Sequence, residues 1–151
     1  AGKGVIIVYN KWDTVDKDEK TMNAIEKEIR AQFVYLDYAP IAFTSALTHS
    51  KVNKLIPLID EVHDSCCMRI MTNVLNDVIL DAQMMNPPKP HLGKQLKIYA
   101  SQVSVEPPTI VLFVNDPELL HFSYSRYIEN KLREAFGFVG TPIRIIARKK
   151  S

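Results

Sequence analysis

The apolar positions of this 151-residue chain change their period along its length. Val5 to Val8 is an unbroken β-branched run, the pattern of a strand covered on both faces in a parallel sheet. From Thr21 to Phe33 the period lengthens: Met22, Ile25, Ile29 and Phe33 recur at helical spacing, with Glu26 and Arg30 as an i,i+4 pair on the outer side. Ile41 to Thr44 predicts a second strand. Val52 to Val62 predicts a second helix with Leu55, Ile56 and Ile59 inward. Strand, helix, strand, helix implies parallel strands joined by right-handed crossovers.

The rhythm then alters. Ile70, Val74, Leu75, Val78, Ile79, Ala82 and Met85 trace a helical stripe, which NPPKPHLGK (Asn86 to Lys94) ends because three prolines and a glycine cannot continue a helix. Beyond it Leu96, Ile98 and Ala100 alternate with Lys97, Tyr99 and Ser101, a half-exposed strand. Thr109 to Asn115 is another strand. Ser123 to Phe136 is an amphipathic helix with Tyr124, Ile128, Leu132, Ala135 and Phe136 on one side. Pro142 to Arg148 is a last strand, alternating Ile143, Ile145 and Ala147 against Arg144, Ile146 and Arg148. The expected fold is therefore an α/β parallel-sheet unit followed by a small α+β unit, helix-strand-strand-helix-strand, with its helices on one sheet face.

Composition narrows the function classes. A hydrophobic content of 46% supports a buried core, and no apolar run approaches the roughly 18 residues of a membrane span, so a soluble, cytoplasmic protein with no membrane partner is the expectation. The adjacent Cys66 and Cys67 suit neither a disulfide framework nor metal ligation and read as helix packing residues, while the four histidines are scattered. No metal site is expected. With no initiator methionine, and Ala1 only four residues before a strand that reads as central, the chain is expected to be a piece of something longer. The net charge of +2 conceals an asymmetry: residues 1–62 carry eight Lys/Arg against nine Asp/Glu, and residues 89–151 carry ten against five.

The chemistry gathers at strand ends. In open parallel sheets ligands bind beyond the carboxyl ends of the strands. Asn10, Lys11 and Asp13 of NKWD leave the first strand there, and Thr44, Ser45, Ala46 and Leu47 leave the second at the same edge. Guanine offers two adjacent donors, its ring N–H and its amine, which one carboxylate accepts in a bidentate, charge-assisted contact. Asp13 is placed for that. Asn10 would brace the loop or meet the base, the Lys11 stem would lie across the ring, and a backbone N–H from Ser45 to Leu47 would reach the keto oxygen. The four-residue string alone would serve equally as a polar turn; its position after an apolar strand, with the SAL turn after the next, favours a guanine nucleotide.

These residues carry a family resemblance. NKWD resembles the guanine-specificity motif of translation-factor-type GTPases, and SAL their second base-contacting loop. The stretches NKWDTVDKDEKTMNAIEKEIRAQFVYLDYAPIAFTSALTHSKVNKL and GKQLKIYASQVSVEPPTIVLFVNDPELLHFSYSRYIENKLREAFGFVGTPIRI together resemble the end of the Der (EngA) family of bacterial GTPases. That resemblance implies a GTP-binding protein of two consecutive GTPase domains and a KH-like C-terminal domain, acting in large ribosomal subunit assembly. It would make residues 1–66 the C-terminal portion of a P-loop GTPase domain and residues 67–151 the KH-like domain. Implied partners are GTP or GDP, the large ribosomal subunit and its rRNA, and upstream GTPase domains of the same chain, with Mg2+ in the complete protein only. The sequence itself holds no GxxxxGK[ST] phosphate cradle and no Asp-x-x-Gly loop. No catalytic residue is therefore assigned, and this chain alone is expected to be inactive.

Two RNA readings remain. Gly137-Phe138-Val139-Gly140 has the GxxG form of a nucleic-acid backbone clamp, but it joins a helix to a strand and displays Phe and Val. It reads better as a helix C-cap followed by a turn before Pro142. Arg144, Arg148, Lys149 and Lys150 form a basic strip whose charge alone fits a solvated edge or an RNA contact equally; the family resemblance favours rRNA. Tyr99 and Tyr127 are capable of stacking on bases, although aromatic residues so placed are more often core. The alternatives are a stand-alone RNA-binding module, or a KH-like interaction scaffold packed on GTPase domains without direct RNA contact.

Overall fold

The computed structural model describes residues 2–11, 19–45 and 52–150. Strand β1 (Ile7–Tyr9) pairs in parallel with β2 (Ile41–Phe43), Val8 opposite Ala42, across helix α1 (Glu19–Gln32). Backbone bonds extend this ladder at both ends: Ile7 donates to the Pro40 carbonyl at 2.9 Å, and Thr44 to the Tyr9 carbonyl at 2.9 Å. The strand is shorter than the apolar run suggests and is not covered on both faces. Val8 is 45% exposed, because among the described residues β1 and β2 pair only with each other and no second layer covers this side of Val8.

Arg30 departs from its expected pairing with Glu26. Its guanidinium donates to the carbonyls of Leu36, Asp37 and Ala39 at 3.3, 3.4 and 2.7 Å, in and after a 3-10 turn at Val34–Leu36. The Leu36 carbonyl also accepts from Ala39 N–H at 3.1 Å, and a planar five-donor group reaches several carbonyls of the turn at once. Helix α2 (Leu55–Cys67) also corrects its expected face. Ile56 and Ile59 are 65% and 49% exposed, whereas Leu55 and Leu58 are half-buried and Val62 and Ser65 buried. The inward stripe therefore runs 55, 58, 62, 65, a helical repeat displaced by one position from the most apolar residues. Cys67 lies exposed, its thiol donating to Glu106 at 3.3 Å, and is not a packing residue.

The second unit holds the main core. Helix α3 (Thr72–Met85), strands β3 (Ile98–Val105) and β4 (Pro108–Val114), helix α4 (Phe122–Phe136) and strand β5 (Arg144–Lys149) follow in that order. The sheet order is β3-β4-β5, with the β3/β4 pair antiparallel and the β4/β5 pair parallel. Leu75, Ile79 and Ala82 of α3 and Ile128 and Leu132 of α4 meet Ala100, Ile110, Leu112 and Val114 in one buried cluster. Both helices thus cover one sheet face. Val74 and Met85, expected on the buried stripe, are 39% and 74% exposed, and Ala135 is also exposed. The stripe a helix buries is narrower than its apolar content, since only one side meets the sheet.

Two amides fasten the helical layer to β3. The Asn76 side chain accepts from Ala100 N–H at 2.8 Å and donates to the Ala100 carbonyl at 2.9 Å, pairing groups on a strand that, among the described residues, has no strand neighbour on that side. Gln102, 5% exposed, accepts from Ile70 N–H at 2.7 Å and donates to the Met68 carbonyl at 2.9 Å. It thereby binds the extended link between α2 and α3 to the sheet, satisfying backbone groups that would otherwise be costly to bury.

The Gly137–Gly140 loop behaves as a cap and a joint. Gly137 has φ +87° and donates to the Arg133 carbonyl at 2.8 Å, closing α4. Phe138 is fully buried. Gly140, at φ +73°, accepts from Val5 N–H at 2.6 Å and donates to the Tyr38 carbonyl at 3.1 Å, and a Cβ there would stand 2.5 Å from Val62 Cγ2. Arg133 lies over the Tyr38 ring at 5.4 Å while donating to the Phe138 and Thr141 carbonyls. The two units are therefore joined through backbone and close packing at one glycine.

Candidate functional site: strand ends and a basic sheet

The sequence places polar residues after both strands of the parallel pair, and the register brings them together. Tyr9 stands opposite Phe43, so Asn10 and Thr44 are the next residues along the same edge. Thr44 Oγ1 donates to Asn10 Oδ1 at 3.4 Å, across 34 residues of chain. Thr44 and Ser45 are 5% and 0% exposed, and Asn10 and Lys11 are exposed. Lys11, two residues past β1, adopts φ +61°, in the left-handed region. Asp13, Ala46 and Leu47 lie outside the described residues. At this edge the Tyr9–Phe43 ring pair, with centroids 5.8 Å apart, ends the ladder, and Asn10 and Lys11 follow one strand while Thr44 and Ser45 follow the other.

The expected basic strip is on the second sheet. Arg144 and Arg148 are exposed on β5, and Lys149 and Lys150 are exposed beside them; Lys150 N–H donates to the Val114 carbonyl at 2.8 Å, so the strip continues one residue past the strand. Of the two tyrosines considered for stacking, Tyr127 belongs to the helical layer, its hydroxyl donating to the Ala82 carbonyl at 2.7 Å. Tyr99 is 48% exposed on the face away from the helices, where it meets Phe113 with ring centroids 6.5 Å apart. Its place in the alternation of β3 carried the signal for this exposure; its partner across the ladder could not be read from spacing alone. A cavity of about 390 Å³ between the proline-rich link and the start of α4, lined by Lys89, His121 and Tyr124 among others, was not anticipated. Burial lifts the Tyr124 phenol to about 12, and its hydroxyl donates to the Asn86 carbonyl at 2.9 Å.

A parallel β-α-β unit with polar residues at its carboxyl edge is followed here by a two-helix, three-strand α+β domain of the KH-like class. Residues 69–148 match the family described as KH-domain-like of EngA bacterial GTPase enzymes, C-terminal. The chain is 64% identical over 151 residues to the GTPase Der of Bacillus cereus (strain ATCC 10987), covering 99% of this chain and 35% of that relative. It shows the same identity and coverage with the GTPase Der of Bacillus thuringiensis (strain Al Hakam) and of Bacillus anthracis (strain CDC 684 / NRRL 3495). The chain belongs to the Der (EngA) family and spans about a third of the length of these relatives.

Proposed function

We propose that this chain is the C-terminal portion of a GTP-binding protein acting in large ribosomal subunit assembly, with residues 1–66 completing a GTPase domain and residues 67–151 forming its KH-like domain. The observation that carries the nucleotide half is the Thr44–Asn10 contact, which supports two loops facing one ligand at the carboxyl edge of a parallel pair. On this reading Asp13 accepts from both guanine donors, Asn10 and Lys11 shape the loop, and Ser45, Ala46 and Leu47 supply the second side. GTP or GDP is the ligand, and Mg2+ belongs to the phosphate end supplied by other segments of the complete protein. A cytoplasmic location goes with this reading.

The exposed Arg144, Arg148, Lys149 and Lys150 support rRNA as the partner of the KH-like domain, through phosphate contacts that position without specifying sequence. The deciding experiment for the base site is calorimetry on a full-length family member. Asp13→Asn should weaken GTP binding by about 1.5–3 kcal/mol and favour xanthosine triphosphate, whose keto group replaces the amine. Unchanged GTP affinity would remove the assignment. For the strip, replacing all four cations with glutamine should flatten log affinity against log salt by up to about three to four units, at roughly 0.7–0.9 per phosphate contact.

A further inference from the structure

The face of the β3-β4-β5 sheet opposite the helices carries three cross-strand rows. Tyr99, Phe113 and Arg148 stand in register; Ser101, Val111 and Ile146 form the next row; Ser104, Thr109 and Arg144 the third. Tyr99 is 48% exposed and Val103, at the β3 bulge, 55%. Lys97, two residues before Tyr99 on the same side, is exposed, as are Arg144 and Arg148. No Asp or Glu occurs in any of the three strands. Val111 and Thr109, the β4 members of the second and third rows, are buried at 2% and 6%, so the open aromatic surface is the Tyr99–Phe113 row, with Lys97 and Arg148 beside it and Arg144 at the far end of β5.

We propose that this face binds unpaired RNA, bases stacking on the Tyr99–Phe113 pair while Lys97, Arg144 and Arg148 meet the phosphates. The inference rests on the RNA reading above and specifies the class of RNA. A π face set in a sheet is reachable only by bases that are not already stacked in a duplex. A protein surface docked here would have to leave three cations desolvated or supply matching carboxylates; a polyanionic strand pairs them without further design.

The test uses the 151-residue chain, with fluorescence anisotropy on labelled single-stranded oligonucleotides and on a duplex of equal length. Tyr99→Ala should weaken single-strand binding roughly 5- to 150-fold, the range for loss of one stacked base. It should leave duplex affinity and the salt slope as in the wild type. Tyr99→Phe should bind as tightly as the wild type, and circular dichroism checks that both variants are folded. The proposal fails if folded Tyr99→Ala binds the single strand normally, or loses single strand and duplex alike. It also fails if the variant keeps its RNA and instead releases the other domains of a full-length family member, which would make this a protein-docking face. Failure of the underlying reading is separate: the four-glutamine variant would then match the wild type on both probes.

Discussion

Val5 donates its backbone N–H to the Gly140 carbonyl at 2.6 Å, tying the segment that enters β1 to the loop between α4 and β5. The strand that leads to Asn10 and Lys11 therefore begins on the second unit. A Cβ at Gly140 would meet Val62 of α2 and the Val5 carbonyl, so the segment before β1, α2 and the loop meet at a position where only hydrogen fits.

Gly140→Ala should accordingly be destabilising by about 1–3 kcal/mol, from the φ of +73° and from the new Cβ 2.5 Å from Val62. Urea unfolding of Gly140→Ala, Val62→Ala and the double variant separates the two causes. The steric part should be recovered in the double variant, and the backbone part should remain.

Asn76→Ala should cost about 2–3 kcal/mol, because both Ala100 backbone groups lose their partner at a position with 0% exposure. Hydrogen exchange should report it first at Ala100, whose N–H donates to the Asn76 side chain. Unaltered protection there would show that the edge is satisfied otherwise.

Alkaline stability should depend on Tyr124. Its phenol is raised from 10.0 to about 12 by burial, so the folded state holds the proton more tightly than the unfolded chain. That contribution is complete below pH 10 and is lost as pH rises through about 12. Tyr38 is raised in the same direction, chiefly by burial, with Arg133 opposing. Thermal melts from pH 9 to about 12 should show falling stability, and Tyr124→Phe should fall less steeply.

Purified as it stands, the chain should show no GTP turnover above a buffer blank. The sequence contains no phosphate cradle to stabilise developing charge, and base contacts alone do not accelerate the chemical step. Phosphate-release measurements check this, and measurable turnover would refute it.

The sequence alone determined the order of elements, because each announces itself by period: an unbroken β-branched run before Tyr9, helical spacing from Met22 to Phe33, alternation from Leu96 to Ser101, and the prolines that end α3. It also marked Gly137 as a cap, since a helix end followed by glycine has a local physical cause. Tertiary structure decided which face each helix buries, turning Val62 and Ser65 inward while leaving Ile56 and Ile59 exposed. It redirected Arg30 from Glu26 to three carbonyls, and it set Phe113 beside Tyr99 and Arg148. Periodicity reports that a residue has an apolar or polar side, but contact across a ladder or between units depends on register and docking, which are set by chain segments far apart in sequence.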